Sequence, residues 1–228
     1  TIPGFDVCYT VGEELATLMG RKFGVHFDVI RNIAPASLEE GLPYVKTHQK
    51  KILLYQGALN IGRGLESCIE AMPYLPDWVF WLAGEGDITD QLKSLARDKG
   101  IEDKVVFLGW VAPDQLHPLM KQARLSINLR EQGSLNDYYS LPNKFFDAIH
   151  VGLPSINMNY PEYARVIVKY PCALLIDEVE VEEIVRAVRY LDEQPEAWEA
   201  MSGACREAAK EYTWENEAQR LLGIYSKL

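Results

Sequence analysis

The sequence predicts a doubly wound α/β fold on a parallel sheet with a helical C-terminal return, and three observations carry that prediction. Short apolar runs alternate with amphipathic helical patterns every ~20 to 30 residues, the signature of right-handed βαβ units. One run, Trp78-Val79-Phe80-Trp81-Leu82-Ala83, is apolar almost throughout, as expected of a strand covered on both faces. The 228 residues are 48% hydrophobic, enough for a sizeable core in one large domain or one domain plus a piece of another.

In chain order, Lys51-Ile52-Leu53-Leu54-Tyr55 reads as a strand ending at Gly57. A helix over 64–72 follows, with Leu65, Ile69 and Met72 on one face. The apolar run at 78–83 is the next strand, and 88–99 returns to helical spacing. Val105-Val106-Phe107-Leu108 is a strand, 113–122 a helix and 125–129 a strand. A helix over 142–151 precedes strands at 154–157 and 173–176. Helical patterns near 181–191, 195–211 and 214–226 close the chain. The first 46 residues fit this scheme poorly. They offer a helix over 13–23, a short strand over 28–31 and a linker over 34–47 containing Pro35, Gly41 and Pro43. One helix and one strand close no core of their own, so residues 1–46 read as the tail of a preceding domain and 47–228 as the main one. The start at Thr1 rather than Met agrees with a processed or excised piece.

Charge narrows the function. The net charge of −10 argues against a nucleic-acid partner, whose phosphates call for excess Lys and Arg. Between Asp177 and Glu199 nine acids face two arginines, so that window carries −7 of the total. With Ile184, Val188 and Leu191 at helical spacing it reads as the wet face of an amphipathic helix. No apolar run approaches ~18 residues, and the N-terminal residues lack the pattern of a secretory signal. Cys8, Cys68, Cys172 and Cys205 lie too far apart for a metal knuckle and read as free thiols. The four histidines show no ligand spacing.

In open parallel sheets, ligands bind outside the carboxyl ends of the strands, and three loops there are candidates. In Gln56-Gly57-Ala58-Leu59-Asn60-Ile61-Gly62-Arg63-Gly64 the glycines admit close backbone approach, and Arg63 stands at a helix start that favours an anion. A guanidinium there would clamp a diphosphate. The spacing matches neither a dinucleotide fingerprint nor an NTPase loop, and the loop fits equally a turn whose glycines are only conformational. In Ser140-Leu141-Pro142-Asn143-Lys144-Phe145-Phe146-Asp147, Pro142 suits a first helical turn, leaving the Asn143 and Lys144 amides and the Lys144 ammonium toward an anion. Asp147, four residues after Asn143, would take two vicinal ribose hydroxyls. Alone, this stretch also fits a plain helix start. The third loop, Ala83-Gly84-Glu85-Gly86-Asp87, alone fits a simple turn.

Taken in order from Lys51 to Leu228, these stretches resemble the Rossmann-like donor-binding lobe of GT-B glycosyltransferases, specifically the large retaining family four. Gln56-Gly57 through Arg63-Gly64-Leu65 is similar to the family's Gly-x-Leu-x-x-x-Lys-Gly loop. Leu82-Ala83-Gly84-Glu85-Gly86 resembles its Gly-x-Gly turn, and Val105 to Val111 its Val-x-Phe-Leu-Gly strand with Trp110 in the segment that receives the base. Leu141 to Ala148 with Gly152-Leu153-Pro154 resembles its Pro-Ser/Asn-Lys…Glu-Ala…Gly-x-Pro stretch, and Tyr212-Thr213-Trp214-Glu215 its closing Trp-Glu helix. Four positions depart. Ala58 stands where the family has Arg, Arg63 where it has Lys, and its carboxylate pair becomes Tyr139 and Asp147.

The resemblance implies a lobe that binds a nucleotide-diphosphate sugar for transfer to a polysaccharide or lipid-linked glycan, with the acceptor held by a mostly missing first lobe. Asp28-Val29-Ile30-Arg31-Asn32 is similar to that lobe's final strand. Arg63 and Lys144 are expected to meet the leaving diphosphate, and Gly57, Gly64, Gly84, Glu85, Trp110, Tyr139, Pro142, Asn143 and Asp147 to form the donor site. Neither a cofactor nor a metal is required by this scheme, and no Asp-x-Asp pair is present. The expected location is the cytoplasm, with the parent peripheral at the inner membrane face. Apolar surface around Val7 to Phe27 is expected to be exposed and to favour self-association. Three rivals differ in one observable each: an epimerase would isomerise the sugar without acceptor, a non-catalytic module would bind without turnover, and a dehydrogenase would bind a nicotinamide cofactor.

Overall fold

A computed structural model of the chain describes residues 4–35, 51–131 and 133–226. A six-stranded sheet forms the centre. Its strands are β3 (Lys51–Gln56), β4 (Trp78–Ala83), β5 (Val105–Gly109), β6 (Leu125–Asn128), β7 (Ser155–Met158) and β8 (Ala173–Ile176). They lie in the order β5-β4-β3-β6-β7-β8, every neighbouring pair parallel. The order reverses between β3 and β6, which places the switch point of the sheet beside the loop after β3.

The period-two alternation of the central strands sorts the core into two layers. Ile52, Leu54, Trp81 and Ala83 pack with Met120 of α4 (Pro113–Met120) and Ala148 of α6 (Asn143–His150). Leu53, Tyr55, Phe80 and Leu82 pack with α2 (Leu65–Ala71), α3 (Thr89–Asp98) and α8 (Val181–Glu193). The acidic window is the outer face of α8, whose Ile184, Ala187, Val188 and Leu191 are buried. Helices α9 (Pro195–Glu211) and α10 (Trp214–Tyr225) complete the return. Cys68, Cys172 and Cys205 are buried free thiols, and Cys8 is a partly buried one.

Besides two short 3-10 turns, Met72–Tyr74 and Glu102–Lys104, three elements among the described residues went unpredicted. Helix α5 (Leu135–Tyr139) is a single short turn capped by Ser134. Helix α7 (Pro161–Lys169) fills the interval between the strands at 155–158 and 173–176. The third belongs to the N-terminal segment, where β1 (Tyr9–Thr10) precedes α1 (Glu13–Phe23) and β2 (Asp28–Val29). Instead of a lone helix and strand, these make a βαβ unit with a two-stranded parallel sheet of its own. The strand expected over 28–31 is shorter, and the linker expected over 34–47 lies, from residue 36 on, outside the described residues.

This N-terminal unit is seated by two buried acids from the distant half of the chain. Glu162 of α7 accepts the Glu14 amide through Oε1 at 2.7 Å and so caps α1, whose own N-cap, Gly12, has no side chain to do it. A Cβ at Gly12 would stand 2.4 Å from Glu162 Oε1, so a larger residue there would push that carboxylate away from the cap. Glu217 of α10 accepts the Arg31 amide at 2.9 Å and Arg31 Nη1 at 3.4 Å, and pairs with Arg220 at 3.0 Å. The Trp214 amide closes the contact on the Ala34 carbonyl at 3.2 Å. Of the apolar surface expected around Val7 to Phe27, Tyr9 and Val11 are exposed, whereas Phe27 is buried.

Candidate functional site

The carboxyl ends of β3, β4 and β6 bring the predicted loops together. Gly57, immediately after β3, has a φ of 120° and donates its amide to the Ala83 carbonyl at 2.9 Å. Gly84, after β4, has a φ of 151°, and a Cβ there would lie 2.0 Å from the Gly57 carbonyl oxygen. Only glycine tolerates that crossing. The loops are stitched further by the Leu59 amide on the Glu85 carbonyl at 3.1 Å.

Helix α6 delivers Lys144 and Asp147 beneath this crossing. Pro142 is its N-cap rather than a residue of its first turn, because the extended ψ of 151° turns its carbonyl toward the Phe145 amide, accepted at 3.0 Å. Asn143 and Lys144 therefore occupy the first two helical positions, where amides have no acceptor within the helix. Phe145, Phe146 and Ile149 anchor the opposite side of α6 in the core. Lys144 Nζ sits 4.1 Å from the centroid of the Tyr55 ring, a cation–π contact. The position a Gly57 Cβ would take is 3.4 Å from the same nitrogen. The Tyr55 hydroxyl donates to the Ala58 carbonyl at 2.9 Å and fixes the ring under the loop.

Asp147 accepts a hydrogen bond from Gln56 Nε2 at 2.8 Å. Burial pushes its carboxyl up to about 6, against the charges of His150 and Lys144 and the Gln56 bond, which all favour ionisation. Burial pushes Lys144 down to about 7, reinforced by the Arg130 guanidinium and opposed by Asp147. Both groups are thus held near neutrality from opposite sides, a pattern typical of functional sites. The buried Gln56 Oε1 and His150 Nδ1 have no hydrogen-bond partner among the described residues.

The remaining predicted residues surround this pair. Arg63 stands between Gly62 and Gly64, both in the left-handed region. It precedes α2 by two residues instead of opening it, since Gly64 in that conformation is the cap. A Cβ at Gly64 would meet Val179 Cγ1 at 2.6 Å, so this glycine serves packing. Glu85 is exposed, and its carboxylate lies 3.5 Å from the position of a Gly109 Cβ, next to the exposed Trp110. Tyr139 ends α5 and packs edge-on against Tyr138 at 5.0 Å, which in turn meets Tyr160 at 5.1 Å. Sequence reasoning missed Tyr55, Gln56 and Arg130. The only signal for the last two was a polar residue closing an apolar run at the ligand-bearing edge. Among the described residues no group of three or more His, Cys, Asp or Glu could hold a metal ion. No helix among them is long and apolar enough to cross a membrane.

The model of the family described as Glycosyl transferases group 1 matches residues 43–211. The chain belongs to that family. Its relatives include a putative colanic acid biosynthesis glycosyl transferase of Escherichia coli, 27% identical over 61% of this chain and 35% of the relative. A GDP-mannose-dependent phosphatidylinositol monomannoside mannosyltransferase of Mycobacterium tuberculosis is 26% identical over 70% of this chain and 43% of the relative. The chain therefore spans less than half the length of these group 1 relatives. The Anabaena protein HepE, solved in complex with UDP, superposes with a TM-score of 0.83 over 97% of this chain and 64% of that one, at 15% identity. That likeness establishes a GT-B type of fold for the six-stranded sheet and its helices.

Proposed function

We propose that this chain is the nucleotide-sugar-binding lobe of a glycosyltransferase, with residues 47–228 holding the donor and 1–46 ending the acceptor-binding lobe. The observation that carries this reading is the Lys144–Asp147 pair at the start of α6, under the Gly57–Gly84 crossing. A nucleotide diphosphate needs cations and free amides at its phosphates and a carboxylate at its ribose. α6 presents all three within one turn. Lys144 and the Asn143 and Lys144 amides meet the diphosphate, Arg63 reaches it from the facing loop, and Asp147 accepts the ribose hydroxyls. When the bond from the sugar to the diphosphate breaks, negative charge develops on the leaving oxygen. Groups already pointing there stabilise that charge without reorganising. Glu85 and Trp110, adjacent at the ends of β4 and β5, border the side where the base would lie.

The parent enzyme transfers the sugar to a polysaccharide or lipid-linked glycan held by the rest of its first lobe. Relatives named for colanic acid biosynthesis and for a mannosyltransferase support that acceptor class. The mannosyltransferase is named for GDP-mannose and HepE was solved with UDP, so both nucleotides stay open. Calorimetric titration with UDP and with GDP tests the reading. One nucleotide binds, and Lys144→Met and Asp147→Asn each weaken it by roughly 10-fold or more. Absence of binding to either nucleotide overturns it.

A further inference from the structure

One cation near the pocket belongs to none of the predicted motifs. Arg130 follows β6, the strand hydrogen-bonded to β3 at the centre of the sheet. Its backbone is fixed on both sides. The Tyr160 hydroxyl donates to the Arg130 carbonyl at 2.7 Å, and the next amide, Glu131, donates to the Gly62 carbonyl at 3.1 Å. Leu129, just before it, packs against Gly64 so closely that a Cβ there would lie 3.1 Å from Leu129 Cβ. The end of β6 is therefore joined to the very loop that carries Arg63.

The Arg130 side chain is held as firmly. Nη1 pairs with Asp137 Oδ1, and the other Asp137 oxygen accepts the Ser134 hydroxyl at 2.7 Å. The Asp137 amide donates back to Ser134 Oγ at 3.2 Å. The Ser134 bond, aided by Arg130, holds the Asp137 carboxyl below its usual range, so the counter-ion stays charged. The Arg130 side chain is 21% exposed, and Asp137 engages only one of its donor nitrogens. Its charge also reaches the pocket floor, where it opposes protonation of Lys144 and favours ionisation of the Tyr55 hydroxyl. Two cations thus share one partly desolvated space, with Asp147 as the acid offsetting Lys144. Each cation is balanced by one acid in the free chain, and both keep donors turned from that acid with which a multiply charged anion could be met.

We infer that Arg130 is a further cation of the donor pocket, binding phosphate oxygens through the guanidinium donors that Asp137 leaves free, and that Asp137 is its positioning counter-ion. The inference rests on the donor-site reading above. An arginine suits the role because its planar fork presents several donors at once, so one edge can stay on a carboxylate while the other meets a phosphate. Arg63, Arg130 and Lys144 then approach the diphosphate from three different elements of the sheet edge.

The test is calorimetric titration of the chain, Arg130→Gln, Arg130→Lys and Asp137→Asn with UDP, GDP, their monophosphates and inorganic pyrophosphate, with thermal unfolding in parallel. For the nucleotide that binds, Arg130→Gln should weaken the diphosphate roughly 10- to 100-fold and the monophosphate clearly less. Arg130→Lys should fall between, and Asp137→Asn, which loosens the guanidinium without removing its charge, should weaken the diphosphate by a smaller factor than either arginine variant. If Arg130→Gln fails to fold, the contrast between Arg130→Lys and Asp137→Asn decides. Equal losses for Arg130→Gln and Asp137→Asn would make the pair a structural brace and overturn the inference, as would unchanged diphosphate binding in the arginine variants. A wild-type chain that binds none of the probes overturns the donor-site reading itself, a result distinct from either of these.

Discussion

Two parts of this molecule bury charged side chains, and they treat them in opposite ways. At the N-terminal seat, Glu162 and Glu217 are each about 1% exposed, yet both are bonded: one caps a helix and the other takes an amide and two guanidinium groups. At the mouth of the sheet, Lys144 rests on an aromatic face and Asp147 accepts one bond from Gln56. Each is shifted toward its neutral form by burial. A buried charge with its partners in place braces a fold. One that is desolvated and under-bonded is stabilised by something that arrives later. The contrast separates structural acids from candidate site residues more sharply than burial alone.

Substitutions should therefore separate stability from binding. The largest stability effect is expected from Glu217→Ala, which leaves the buried Arg31 amide without its acceptor and the Arg31 guanidinium with only Glu13, at 3.2 Å. A loss of about 3–5 kcal/mol is expected, read as a drop of roughly 6–20 °C in the unfolding midpoint at this chain length. Nucleotide affinity of the folded fraction should stay unchanged. Gly84→Ala comes next, since its Cβ would collide with the Gly57 carbonyl at 2.0 Å. It should cost about 2–4 kcal/mol in strain and repacking and, unlike Glu217→Ala, should also weaken nucleotide binding because the collision is in the pocket roof. Lys144→Met should do the reverse of Glu217→Ala: the unfolding midpoint holds or rises by a few degrees, while nucleotide affinity falls roughly 10- to 100-fold. A Lys144→Met protein as unstable as Glu217→Ala would erase the distinction between the two regions.

The smallest effect is on the pH dependence of stability, and its sign differs for the two groups. Lys144 drops from an ordinary 10.5 to about 7 in the folded chain. Between those values the unfolded chain holds more protons, so this group makes stability rise with pH. Asp147 moves from 3.8 up to about 6. Between those values the folded chain holds more protons, so stability falls as pH rises. The contribution of the pair should pass through a minimum between about pH 6 and 7, where both are charged. Thermal unfolding across pH 4 to 10 should show this minimum, and Lys144→Met should remove its alkaline side.

Most of the sheet was readable in the sequence because its strands are buried on both faces, which leaves unbroken apolar runs such as 78–83. The loops after them were readable because glycines mark the turns, and Lys144 and Asp147 followed from helical spacing. What escaped reading did so for physical reasons. Helix α7 opens on Pro161 and its buried face includes Glu162 and Tyr163, so its pattern is not that of an ordinary amphipathic helix. Strand β1 and helix α5 are too short to show a period. Glu162 and Glu217 look like solvated acids, since their partners are 148 and 186 residues away. Gln56 meets Asp147 across 91 positions. Arg130 gains its place only from the register of β6 on β3. Pairing over such distances is set by topology, which a local pattern does not contain.

The central claim is that Lys144 and Asp147 are held near neutrality for a ligand that completes them. Proton uptake on nucleotide binding tests it most directly. Calorimetric titration with the nucleotide that binds, at pH 7.5 in buffers of different ionisation heat, reports protons taken up per molecule bound. The account predicts net uptake, because a diphosphate beside Lys144 favours its charged form, and predicts that Lys144→Met abolishes it. Binding with no proton exchange, or uptake that persists in Lys144→Met, would contradict the account.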